Sequence, residues 1–84
     1  LNPQCAYLYY NRGNAYAALK DYTHAMADYT QALQIDAHLA EAYFNRGLVY
    51  IYQKENKQAI SDLGKAGELG LYEAYSIIKK YAKP

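Results

Sequence analysis

One phrase is written twice in this chain. Tyr9–Tyr16 reads YYNRGNAY and Tyr43–Tyr50 reads YFNRGLVY, an offset of 34 residues. The register extends beyond the phrase, since Ala6, Lys20, Ala25, Asp28 and Ala32 recur as Ala40, Lys54, Ala59, Asp62 and Ala66. A fixed period of about 20–50 residues is the mark of stacked supersecondary units, none of which can bury its apolar face alone. That periodicity constrains the fold more tightly than composition does.

The repeating unit is helical. Tyr9, Arg12, Gly13 and Tyr16 fall at i, i+3, i+4 and i+7, one face of a helix. Tyr22, Ala25, Met26, Tyr29, Ala32 and Leu33 make a second such stripe, with Lys20-Asp21 as a short polar turn between the two. The spacing predicts helices over about 5–19, 22–35, 39–53, 56–68 and 71–82, and no segment alternates with the period of two that a strand requires. Glycine inside a helix costs about 1 kcal/mol relative to alanine, so Gly13 and Gly47 at one repeat position need a physical reason. Close approach to Ala25 and Ala59 on the partner helices supplies it.

These residues resemble the tetratricopeptide repeat, whose 34-residue signature runs W-x2-L-G-x2-Y, A-x3-F, A and P. The first copy here is Tyr9-x2-Arg12-Gly13-x2-Tyr16, Ala25-x3-Tyr29, Ala32; the second is Tyr43-x2-Arg46-Gly47-x2-Tyr50, Ala59-x3-Leu63, Ala66. The departures are Tyr for Trp, Arg for Leu, and Ala37 in place of proline. The Asn-Arg-Gly form is similar to a bacterial subtype of the family. The resemblance implies an all-α fold of antiparallel helix pairs stacked in a right-handed superhelix. Domain organisation follows: residues 1–3 as the tail of an upstream repeat, 6–37 and 40–70 as two repeats, and 71–84 as a capping helix. Glu73-Ala74-Tyr75 echoes Glu41-Ala42-Tyr43 at 32 rather than 34 residues, a two-residue deletion, and Gly64, Gly67 and Gly70 are expected to weaken the helix before it. Lys79, Lys80 and Lys83 suit the C-terminal end of such a cap. The chain is therefore expected to be the C-terminal end of a longer array.

Catalytic and cofactor chemistry find little support. His24 and His38 stand singly, without a second ligand at metal-binding spacing, and Cys5 is the only cysteine, with no local cue for a reactive thiolate. No catalytic, metal or cofactor site is expected. A net charge of +1 leaves little attraction for phosphates, so nucleic acid is not expected as a partner. No apolar run approaches the length of about 18 residues that a membrane span needs, and no signal peptide is visible; a soluble, cytoplasmic protein is the expectation. The distinctive figure is 12 Tyr against one Phe and no Trp. Tyrosine joins a large apolar ring to a polar tip and suits surfaces that are half core and half binding site.

Arg12 and Asp28 lie 16 residues apart, as do Arg46 and Asp62. A charge pair repeated at one hairpin position points to a structural fork, so these four residues, with Gly13, Gly47, Ala25 and Ala59, form the expected structural set. The alternative for the arginines is an acidic ligand. In tetratricopeptide arrays the first helix of each pair lines a concave face that binds peptides. That resemblance places Tyr7, Tyr10, Asn11, Asn14 and Ala18, then Glu41, Phe44, Asn45, Leu48 and Tyr52, at a site for a protein or peptide partner. Leu48 and Ile51 remain open between groove and core. The Asn45 amide is expected to face solvent, where it could clamp a peptide backbone. The clamp that some family members use for chaperone C-termini is half absent: Asn14 and Asn45 match, but Tyr10 stands where a lysine is needed. Leu8, Ala15 and Leu19 share one side of the first helix and offer a face for self-association. A spacer or oligomerisation element without its own ligand is the alternative function.

Overall fold

The computed structural model describes residues 2–82. It contains five helices: α1 (Pro3–Ala18), α2 (Tyr22–Ile35), α3 (Ala40–Tyr52), α4 (Asn56–Glu68) and α5 (Glu73–Tyr81). There is no strand among the described residues, and none of these helices is long and apolar enough to cross a membrane.

Local chemistry sets the helix ends. Asn2 caps α1 by accepting the Gln4 N–H through its side-chain oxygen at 2.9 Å. Pro3 takes the first helical position, where its missing N–H and fixed φ are harmless. This start lies two residues ahead of the periodicity-based boundary, because capping residues rather than the apolar stripe decide it. Leu1, expected with them in an upstream tail, lies outside the described residues. Asp21 caps α2 in the same way, through the His24 N–H.

The turns within the two hairpins are copies. Lys20 and Lys54 both adopt φ of +62°, and the next residue's N–H returns to the preceding helix, Asp21 to Tyr16 O at 2.9 Å and Glu55 to Tyr50 O at 2.8 Å. A non-glycine residue in this left-handed region is disfavoured by about 1–2 kcal/mol. The turn tolerates that because the following helix is held by side-chain packing.

That packing depends on the paired glycines. A Cβ at Gly13 would lie 2.8 Å from the Tyr29 ring and 3.3 Å from Ala25 O; one at Gly47 would lie 2.9 Å from Leu63 Cγ and 3.3 Å from Ala59 O. Each hairpin thus closes with a large side chain of its second helix laid directly on the backbone of its first. The core is a row of patches. Ala6, Ala32, Leu33, Leu39 and Ala42 join α1, α2 and the start of α3; Ala25, Tyr29 and Val49 link the two hairpins; Leu63, Ala66 and Ala74 carry the row on to α5. Such patchwise burial, each unit leaning on its neighbours, is the physical meaning of a solenoid.

The end of the second hairpin departs from the sequence reading. Helix α4 runs unbroken through Gly64 and Gly67. At Gly67 the missing side chain makes room for the Tyr75 ring, which would sit 2.6 Å from a Cβ. Gly70 ends the helix with φ of +114°, a conformation open to glycine. The chain then turns through Leu71, whose N–H bonds Ala66 O at 3.0 Å, so α5 begins at Glu73 rather than 71. Nothing within the chain approaches a Cβ position at Gly64.

Candidate functional site

Helices α1, α3 and α5 present their side chains to one shared face. Two open hollows run along it. The first, of about 310 Å³, lies between α1 and α3 and is lined by Asn14, Ala17, Ala18, Asn45, Leu48 and Tyr52, with Tyr29 and Val49 as its floor. The second, of about 180 Å³, lies between α3 and α5 and is lined by Leu48, Ile51, Tyr52, Ile77, Lys80 and Tyr81. Leu48 and Tyr52 belong to both, forming the ridge that separates them.

A polar cluster fixes the upper end of the first hollow. Asn45 Nδ2 donates to Tyr10 Oη at 3.1 Å and to Asn14 Oδ1 at 2.9 Å. The buried Tyr29 hydroxyl donates to the same Asn14 oxygen. The Asn45 amide nitrogen therefore does not face solvent as the sequence suggested. It joins α3 to α1, because adjacent first helices pack closely enough for a short side chain to span the gap. Both of its protons are engaged, which leaves Oδ1 as the available acceptor, while Asn14 retains its own amide donors. Burial, reinforced by the neighbouring Tyr10, pushes the Tyr29 phenol up to about 12.

The tyrosines divide by depth. Tyr7 is exposed and meets Tyr10 edge-on at 6.3 Å; Tyr10 is half-buried and packs toward Tyr29. Tyr52, 65% exposed, stacks on Tyr22 of α2 at 5.8 Å. Phe44 leans on the third core patch, as does Ile51, which also lines the second hollow. Asn11 and Glu41 are exposed and line neither hollow. Sequence reasoning missed Tyr22, Tyr29 and the α5 residues Ile77, Lys80 and Tyr81. The two-residue deletion hid the α5 set by taking it out of the 34-residue register, whereas Tyr29 was visible only as a core position.

On another side the arginine forks are closed. Arg12 Nε and Nη2 donate to the Asp28 carboxylate at 2.8 Å each. Arg46 Nε and Nη2 donate to Asp62 at 2.6 and 2.9 Å, and its Nη1 donates to Thr30 Oγ1 at 3.2 Å. Each guanidinium also lies over a ring of its own helix, Tyr9 at 5.6 Å and Tyr43 at 5.7 Å. The hydrogen bonds to Asp28 and to Asp62 raise the respective arginine pKa values above the ordinary one, and for Arg46 burial opposes the rise. Both carboxylates are buried, but the Arg12 side chain is 60% exposed and that of Arg46 only 18%.

The remaining polar candidates are dispersed. His24 Nδ1 contacts Asp21 at 2.8 Å and its ring stacks on Tyr16. His38 donates its backbone N–H to Asp36, and Cys5 is half-buried on α1. No group of three or more His, Cys, Asp or Glu side chains among the described residues is placed to hold a metal ion.

Comparison with known families agrees with this geometry. A model described as TPR repeat matches residues 13–54, and one described as tetratricopeptide repeat matches residues 40–69. The chain belongs to the tetratricopeptide repeat family, whose repeats generally mediate protein–protein interaction. No curated protein matches it.

Proposed function

We propose that the chain is a non-enzymatic scaffold that holds a protein or peptide segment along the face shared by α1, α3 and α5. The observation that carries this reading is the Tyr10–Asn14–Asn45 cluster. Its internal hydrogen bonds hold one donor group (Asn14 Nδ2) and one acceptor (Asn45 Oδ1) beside an apolar hollow. A peptide unit of an extended chain needs that pair of functions, and the rings around it supply apolar contact. Tyr7, Tyr10, Asn14, Leu48 and Tyr52 form the contact set, with Asn11, Glu41 and Phe44 at its margin. Asn45 serves both the groove and the link between helices.

The test is selection from a peptide library followed by Tyr52→Ala, which removes an exposed ring and leaves the core intact. Selected peptides should bind this variant at least fivefold more weakly while its urea midpoint stays near that of the parent. Unchanged binding to Tyr52→Ala, together with loss on Ser61→Arg on the α4 face, would move the site to the opposite side of the molecule.

A second reading, self-association, is favoured by the outer side of α1. Leu8 is 69% and Leu19 77% exposed. Sedimentation at millimolar concentration should show a dimer that Leu8→Glu abolishes; a monomer throughout removes this reading.

A further inference from the structure

The two hollows are spaced for one particular backbone. Packed helices lie about 8–10 Å apart, so pockets on either side of the Leu48–Tyr52 ridge are separated by about that distance. A polyproline II chain rises about 3.1 Å per residue with three residues per turn. Its residues i and i+3 therefore point the same way, about 9 Å apart. A β-strand cannot match this: its same-side residues are about 7 or 13 Å apart.

The polar groups agree with the spacing. Facing the first hollow, Asn14 Nδ2 and the Tyr10 hydroxyl proton are available as donors, against Asn45 Oδ1 as acceptor. A groove richer in donors suits a backbone in which proline has replaced some N–H groups and left the carbonyls free. Exposed tyrosine rings supply the aromatic walls on which proline-rich segments dock.

Charge completes the description. Lys80 lines the second hollow, its ammonium 5.5 Å from the Tyr81 ring centroid, and it has no carboxylate within ion-pair distance among the described residues. No acidic residue lines either hollow. A carboxylate on the ligand, next to the side chain seated there, would meet a cation with no competing partner.

We infer that the occupant of this face is a proline-containing segment in the polyproline II conformation, with apolar side chains three residues apart and an acidic residue beside the one seated against Ile77 and Lys80. The inference rests on the concave-face reading above and narrows it to a class of ligand. Polar rings at the ridge favour such a rigid, low-entropy chain, because little conformational freedom is lost when it binds.

The experiment uses the full 84-residue chain and fluorescein-labelled peptides Leu-Pro-Pro-Leu-Glu and Glu-Leu-Pro-Pro-Leu, so that both chain directions are sampled. One of them should bind at least fivefold more tightly than versions with one or three prolines between the leucines, and than the version with glycines in their place. Replacing Glu by Gln should weaken binding about two- to fivefold, the range of an exposed ion pair. That difference should vanish in Lys80→Gln and shrink with added salt. Amide chemical shifts locate the peptide in the same samples. Shifts at Leu48 and Tyr52 without dependence on spacing or proline, or a Glu-to-Gln difference that persists in Lys80→Gln, would overturn the inference and leave the concave-face reading standing. Shifts confined to the outer faces of α2 and α4 would overturn both.

Discussion

Arg46→Ala is the perturbation that best separates a structural from a ligand-binding role. The guanidinium gives Asp62 two hydrogen bonds, at 2.6 and 2.9 Å, and ties α3 to α2 through Thr30. Removing it leaves a carboxylate that is 6% exposed without its cation. Breaking a fully buried pair by deleting one partner costs about 3–5 kcal/mol, and stranding one polar group about 1–3 kcal/mol. The open hollow of about 580 Å³ lined by Arg46 and Asp62 would let water reach the orphaned carboxylate, so the loss belongs between these limits, at about 2–3 kcal/mol. For a domain of this size that is a fall in melting temperature on the order of 10–20 °C. Urea unfolding followed by circular dichroism at 222 nm measures it directly. Arg12→Ala should lose less, since the Arg12 side chain is largely in water and has no contact of the Thr30 kind. The double variant Arg46→Met/Asp62→Leu should recover much of the single-variant loss, because no charge is then left unpaired. A loss below about 0.5 kcal/mol in Arg46→Ala would refute the structural assignment, most plainly if peptide binding disappeared at the same time.

Two further outcomes follow from the packing. Gly47→Ala should destabilise by about 1–2 kcal/mol, because its methyl would press on Leu63 and overpacking outweighs the gain in helix propensity; Gly64→Ala, with open space around it, should instead stabilise by about 0.5–1 kcal/mol. Both are read from urea midpoints. Tyr29, at about 12 against 10.0 for the free phenol, holds its proton more tightly in the folded than in the unfolded chain. Its contribution is complete below pH 10 and is lost as pH rises from 10 to 12, on the order of 2–3 kcal/mol, and Tyr29→Phe should flatten that decline in a pH series of unfolding curves.

The legible parts of this fold were those dictated by period. The stripes of the hairpins, the glycine contacts and the arginine–aspartate offsets all depend on residues separated by whole helical turns or by one 34-residue unit, and both spacings can be counted. The illegible parts depend on what lies across a gap. That Asn45 would turn back to Asn14 depends on the distance between α1 and α3, which no local pattern encodes. Gly67 looked like a helix breaker because its purpose, space for the Tyr75 ring, belongs to a helix whose register the deletion had shifted. Lys80 was read only as a charge on a cap, since its place beside Leu48 and Tyr52 emerges from the seating of α5 on α4.

The repeated Asn-Arg-Gly triplet can now be explained residue by residue. Successive positions on a helix point about 100° apart, so three consecutive side chains reach three different neighbours. In the second copy Asn45 faces back to α1 and bonds Tyr10 and Asn14, Arg46 reaches Asp62 on α4 and Thr30 on α2, and Gly47 receives Leu63 from its own hairpin. One triplet thus holds the hairpin closed, holds it to the hairpin before it, and sets the polar end of the groove. In the first copy Gly13 does the same work beneath Tyr29 and Arg12 still clasps Asp28, but Asn11 is exposed and the Arg12 side chain lies mostly in water. The glycine acts within a repeat, the arginine partly within and partly across, and the asparagine wholly across. The same three letters therefore contribute different amounts to stability in the two places, according to how many neighbours each can reach.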